Sequence, residues 1–375
     1  MDPRVHEHAE LLVDWSARIT GGENVIVSVS EGAHDLAVAV AGVLGERGAN
    51  PRFLYDSDEV QRAYLQAADG FDPDPAFERE LFERADAYLR LGGGRNTAAL
   101  ADVPGDARRE YSHAREQIRE ARFATDWVST VHPTRSLAQQ AGMAHAEYRE
   151  FVYDAVLRDW ESLAEEMARL KEILDDGGEV RIEGEGTSLS MSIEGHSAVN
   201  SAASVAYDSH NLPSGEVFTA PVADTVEGEV VFDVPMTIRG ERVRDVRLAF
   251  EDGEVVEFSA GAGESAVASV LETDEGARRL GELGIGMNRG IDRATDSILF
   301  DEKMAGTVHL ALGRAYDACL PAGETGNESA THTDLIADVT SDARLVVDGE
   351  TIQRDGVFRW EDGFAERSNV PARNK

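Results

Sequence analysis

Lysine is almost absent from this chain. Only Lys171, Lys303 and Lys375 occur in 375 residues, and arginine carries nearly all the positive charge. Against 36 Lys+Arg stand 71 Asp+Glu, a formal net charge of −35. A surface this negative repels nucleic acid and anionic membrane, so neither is expected as a partner. Cysteine is nearly missing too. With Cys319 alone there is no intramolecular disulfide and no cysteine-based zinc site. Long apolar runs are also lacking, and none approaches the length that spans a bilayer. The opening stretch, MDPRVHEHAELLVDW, has no charged-then-apolar signal pattern. A soluble, cytoplasmic protein is expected.

The acidic residues are not gathered in a tail. They sit between apolar residues in folded-looking segments such as EEMARLKEILDDGGEV. Spread acidity with few lysines suits a protein kept soluble in concentrated salt, where screening reduces self-repulsion. A halophilic source is therefore expected, the ordinary alternative being an acidic cytosolic protein.

The length allows two domains of ordinary size. In the first part strand and helix signals alternate. NVIVSVS (24–30), PRFLYD (51–56) and DAYLRLGGG (86–94) read as strands, and AHDLAVAVAGVLGERGAN (33–50) as a helix ending at Gly48. Such alternation predicts an α/β domain with a parallel sheet. LGGGRN matches neither phosphate-loop pattern and reads as a turn at a strand end. A helical block fills 134–178 and closes on DDGG. Its aromatics Tyr148, Phe151, Tyr153 and Trp160 read as core.

Beyond 178 the texture is strand and turn. EDGE (251–254) and VDGE (347–350) are hairpin signals. One helix is expected to interrupt, over 263–286. The boundary is placed near 175, giving an N-terminal α/β domain (1–175) and a C-terminal domain (176–375), mainly antiparallel β with inserted helices. The tail ERSNVPARNK reads as loosely ordered.

The C-terminal half sets carboxylates and histidines in apolar surroundings. Glu216 lies in NLPSGEVFTAP and Glu282 in LGELGIGMN. Glu302, His309 and Tyr316 lie in ILFDEKMAGTVHLALGRAY, and His332 and Asp334 in THTDL. Each has an ordinary reading. Glu216 would be a turn residue, Glu282 an exposed residue at a helix end, His309 a buried neutral imidazole and Tyr316 plain core. Together they differ, because ionised carboxylates are costly to bury unless they are paired or bound to metal. Imidazole with carboxylate is the ligand chemistry of a mixed N/O site, and more than three carboxylates suit two metals sharing a bridge. If 331–336 is extended, His332 and Asp334 share a face, since side chains alternate with period two.

These segments also resemble a family. NLPSGEVFTAP, GEVVFDVPM, DEGARRLGELGIGMN, ILFDEKMAGTVHLALGRAY and NESATHTDLIADV are similar, in order, to the signature blocks of the aminopeptidase T family of thermophilic-type metallo-aminopeptidases. HPTRSLAQQAGMAHAEYREFVYDA resembles the block that ends its N-terminal domain. The resemblance implies a dinuclear site in the C-terminal domain that removes N-terminal residues from peptides by two-metal-activated water. It implies Glu216, Glu282, Glu302, His309, His332 and Asp334 as ligands. Glu282 would be the bridge and a proton shuttle, and Tyr316 a donor to the oxyanion. Glu328 would be a neighbouring polar residue. Two divalent ions are implied, and Zn, Co, Mn and Mg all accept such ligands. Substrates would be peptides with a free N-terminus, and the assembly a homodimer. Thr333 stands where a bulkier residue is expected, which alters the pocket. The alternative is a metal-free peptide-binding or scaffold protein of the same fold.

Overall fold

The computed structural model describes residues 2–367, so residues 368–375 of the tail expected to be loosely ordered lie outside the described residues. Among the described residues no helix is long and apolar enough to cross a membrane. The chain divides into two compact units. One runs to Arg158 and takes in Ala203–Pro213, and the other holds Asp159–Ala202 and everything from Ser214 onward. This differs from a boundary near 175. The helix Trp160–Asp175 belongs with the second unit, where the Asn200 amide donates to the Ala164 carbonyl at 2.9 Å. The short strand Asn211–Leu212 returns to the first unit.

The first unit is built on a five-stranded, all-parallel sheet, as the alternating strand and helix signals predict. Asn24–Ser30 and Ala87–Gly92 sit at its centre, flanked by Asn50–Asp56 and Asp126–Val131. Helix His34–Arg47 stops at Gly48, whose φ of 73° suits glycine. Open α/β sheets bind ligands where the strand order reverses, beyond the carboxyl ends of the central strands. Here that crevice is shut by backbone. The Gly32 N–H donates to the Gly93 carbonyl at 2.8 Å, and a Cβ on Gly32 would lie 2.3 Å from the same oxygen. LGGGRN is thus a strand-end turn.

The second unit has two sheets. The larger has nine strands, antiparallel at every pairing. Both predicted hairpins are present. Asp252–Gly253 and Asp348–Gly349 take positive φ at the two turn positions, the primed-turn geometry that matches strand twist.

The smaller sheet carries the chemistry. Its strand order is His332–Asp338, Thr307–Gly313, Leu280–Gly286, Glu216–Thr219 and Val199–Ser201, all antiparallel. One correction concerns Leu280–Gly286. The helix expected over 263–286 spans only Glu264–Leu271, and LGELGIG is a central strand, buried at every residue. Glycine disfavours helix, and here it leaves room for crossing chains. A Cβ on Gly286 would meet the Met304 carbonyl oxygen at 2.1 Å.

Candidate metal centre

Register alone gathers most of the candidate residues. Glu216 pairs with Gly286, Gly284 with His309, Glu282 with Ala311, and Ala311 with Asp334. Residues opposite one another project to the same side, so Glu216, Glu282, His309, His332 and Asp334 share one face. The other face carries Val217, Leu283, Ile285, Val308, Leu310 and Leu335, all buried. Alternating side chains thus place an apolar core on one side and an acid–imidazole cluster on the other. Gly284 is what lets His309 lie flat across the sheet, because a Cβ there would sit 2.0 Å from His309 Nε2.

Glu282 is central. Its Oε1 lies 3.0 Å from His309 Nε2 and its Oε2 lies 3.5 Å from His332 Nε2. His332 Nε2 is also 3.5 Å from Asp334 Oδ1. Ligand atoms of Glu282, His332 and Asp334 all lie within 4.8 Å of one another, close enough to meet on one cation. Glu216 Oε2 is 3.5 Å from His309 Nε2. Glu302 enters from outside the sheet, at the end of the helix Ile298–Asp301. Tyr316 follows the His309 strand, with its ring 4.8 Å from that of His332 and 46% of the residue exposed. All seven expected residues therefore lie in one region of the second unit. Glu328 is exposed and, among the described residues, has no side-chain hydrogen bond or ion pair.

Sequence reasoning missed Lys303. It is fully buried, its Nζ donates to Glu302 Oε1, and it lies 3.3 Å from Glu216 Oε1. The available signal was its rarity, together with its place directly after Glu302 and before the largely apolar run that leads to His309.

Burial sets the electrostatics. It pushes the carboxyls of Glu216, Glu282 and Glu302 above the ordinary glutamate range, and the neighbouring cations only partly offset it. For Asp334 burial acts the same way, but the hydrogen bond and charge of His332 outweigh it and hold the group below its usual value. Burial alone would depress both histidines. Glu282 instead raises His309 to about 9, and Asp334 raises His332 to about 9. Lys303 is likewise held charged by Glu216 and Glu302 against the cost of burial. The Tyr316 phenol is pushed well above its usual value by burial and then by the carboxylates of Glu282, Asp334, Glu302 and Glu216.

The side chains fit a divalent cation. Glu216 Oε2 and Glu282 Oε2 are buried without a hydrogen-bond partner. Each is faced only by an imidazole nitrogen 3.5 Å away, His309 for Glu216 and His332 for Glu282, without a hydrogen bond, so each retains an acceptor that a cation would satisfy. The His332 Nδ1–H donates to the Arg314 carbonyl at 2.8 Å, which turns Nε2 toward Glu282 and Asp334. Metal-ligating histidines are held in the same way.

A family model described as "Thermophilic metalloprotease (M29)" matches residues 1–359. Aminopeptidase T of Thermus thermophilus is 31% identical, over 95% of this chain and 94% of its own length. Aminopeptidase 2 of Geobacillus stearothermophilus is 27% identical, over 96% of this chain and 97% of its own. Among solved structures, wild-type AmpT from Thermus thermophilus superposes with a TM-score of 0.82 at 27% identity, covering 95% of this chain and 99% of that one.

Proposed function

The chain belongs to the thermophilic metalloprotease family M29 and is a metallo-aminopeptidase, and from that premise we propose that it works with two divalent ions held on the face of the smaller sheet. The metal-free scaffold alternative is set aside with the family assignment.

The observation that carries the reading is the convergence of Glu282, His332 and Asp334 on one point, with Glu282 also bonded to His309. Glu282, His332 and Asp334 would hold one ion. Glu216, Glu302 and His309 would hold the other, with Glu282 shared between them. Bound divalent ions supply Lewis-acid polarisation of the peptide carbonyl and a water of lowered pKa. The chain supplies the rest. Glu282 lies between both histidines, and in this reading it would accept a proton from water and deliver it to the leaving amine. The Tyr316 phenol stays protonated through the neutral range and donates to the carbonyl oxygen as negative charge develops there. Lys303 holds Glu216 and Glu302 in place and balances part of their charge. A free substrate α-amine, cationic at neutral pH, suits this acidic face, and the reaction is confined to chain ends.

Hydrolysis of unblocked aminoacyl-anilides, measured before and after exhaustive chelation, tests the reading. Activity should vanish on chelation and return with a divalent ion. Hydrolysis that survives chelation would overturn it.

The site is built within one unit, so nothing in its geometry requires a homodimer or a cytoplasmic location. Both remain part of the proposal through resemblance to the family. A halophilic source rests on the charge of −35 and is tested below through salt.

A further inference from the structure

The strand His332–Asp338 is the edge of its sheet, paired among the described residues only with Thr307–Gly313. The main-chain direction of each residue follows from two bonds. The Thr331 carbonyl accepts from Arg314 N–H at 2.8 Å, and Val339 N–H donates to the Gly306 carbonyl at 2.9 Å. Odd-numbered residues therefore turn their N–H and C=O inward to the sheet, and even-numbered residues turn theirs to the outer edge.

The far half of that outer edge is already occupied. The Ile336 carbonyl accepts from Val234 N–H at 3.3 Å, and Asp338 N–H donates to the Asp233 carboxylate at 2.8 Å. The near half differs. Among the described residues, the main-chain N–H and C=O of His332 and Asp334 have no hydrogen-bond partner. A cavity of about 350 Å³ lies along this stretch, lined also by Met236, Ile238 and Ile298 and by the charged side chains of Arg239, Asp296 and Asp301. Its volume falls in the range of small-ligand sites.

We propose that the substrate peptide adds to this edge as an extended strand, with residues beyond the scissile bond pairing with the main chain of Asp334 and His332. The inference rests on the aminopeptidase reading. Continuity selects the occupant, because the residues that offer main chain to the groove offer side chains to the candidate metal centre. An added strand is thereby indexed to the reacting bond by the strand's own geometry. Period-two alternation separates the two pairing residues by about 7 Å, the span of two substrate residues. Main-chain pairing gives affinity without reading side chains. It also explains how an unpaired edge persists, since only its recessed half is free.

The test is a set of tetrapeptide amides in which the two amides following the scissile bond are replaced one at a time by an ester, removing a single N–H. An aminoacyl-anilide, which has no main chain beyond the scissile bond, is assayed beside them with added divalent metal. One ester should lower kcat/KM by about 3- to 10-fold, the worth of one net hydrogen bond, and its neighbour should change it less than about twofold. If the anilide is cleaved but both esters behave like the parent peptide, or lose equally, strand addition is overturned and the aminopeptidase reading stands. If neither anilide nor peptides are cleaved, that reading falls, and this inference with it.

Discussion

Lys303→Met isolates the charge balance of the site. Methionine nearly matches the lysine stem in length, so packing changes little and the ammonium is lost. In the native arrangement that ammonium, fully buried, faces Glu216 Oε1 at 3.3 Å and bonds Glu302. Glu216 is buried as well and Glu302 is half-buried, and desolvation already raises both pKa values. Breaking a buried ion pair by removing one partner costs about 3–5 kcal/mol, because the remaining charge has nowhere to go. For a unit of this size such a loss lowers the melting temperature by about 10 °C. The measurement is calorimetric melting of chelator-stripped protein, wild type against variant, repeated after loading with zinc or cobalt. The metal-free variant should melt far below wild type at neutral pH. The gap should narrow on loading, since the added cations face the same carboxylates. It should also narrow as pH falls, because Glu216 and Glu302 then take up protons and no longer need a counter-charge. A metal-free variant within about 0.5 kcal/mol of wild type, the range of changes away from such features, would refute the claim that Lys303 balances these charges.

Other outcomes follow from the same geometry. His309 and His332 are both raised to about 9, so in metal-free protein at pH 7 both carry a proton that a ligand histidine must lose. Loading at pH 7 should release about two protons, read with an indicator dye in weak buffer, and apparent affinity should rise with pH until about 9; loading without proton release would contradict this. Tyr316→Phe should lower kcat by about a hundred- to a thousand-fold, the usual cost of one oxyanion donor, with metal content unchanged by elemental analysis. Loss of metal from that variant would make Tyr316 structural. The net charge of −35 should make the melting temperature climb steeply between 0.1 and 3 M KCl, as the screening length shrinks from about 10 Å at 0.1 M to about 3 Å at 1 M. A flat curve would remove the case for a halophilic source.

Much of this was legible in the sequence, for reasons that differ by element. The parallel sheet announced itself through Val/Ile-rich runs alternating with a helix that stops at Gly48. Asp252–Gly253 and Asp348–Gly349 announced hairpins because few residue pairs accept positive φ twice. His332 and Asp334 were readable as one face because strand period is fixed. LGELGIG was misread because its three glycines serve contacts made by distant segments, at Gly313, His309 and Met304, which local pattern does not contain. Lys303 was missed for a similar reason. Its partners Glu302 and Glu216 are one residue and many residues away, and only folding brings all three together. The helix Trp160–Asp175 looks continuous with the helices before it, and its place in the second unit depends on contacts such as that of Asn200 with Ala164.

The central claim is a shared-glutamate centre for two ions, and counting them tests it most directly. Stripped protein titrated with zinc or cobalt, then freed of unbound metal and analysed for metal per chain, should hold two ions in wild type. The same measurement on His332→Ala should find the ion of Glu282, His332 and Asp334 lost or strongly weakened. A single ion in wild type, or full occupancy in the variant, would contradict the account.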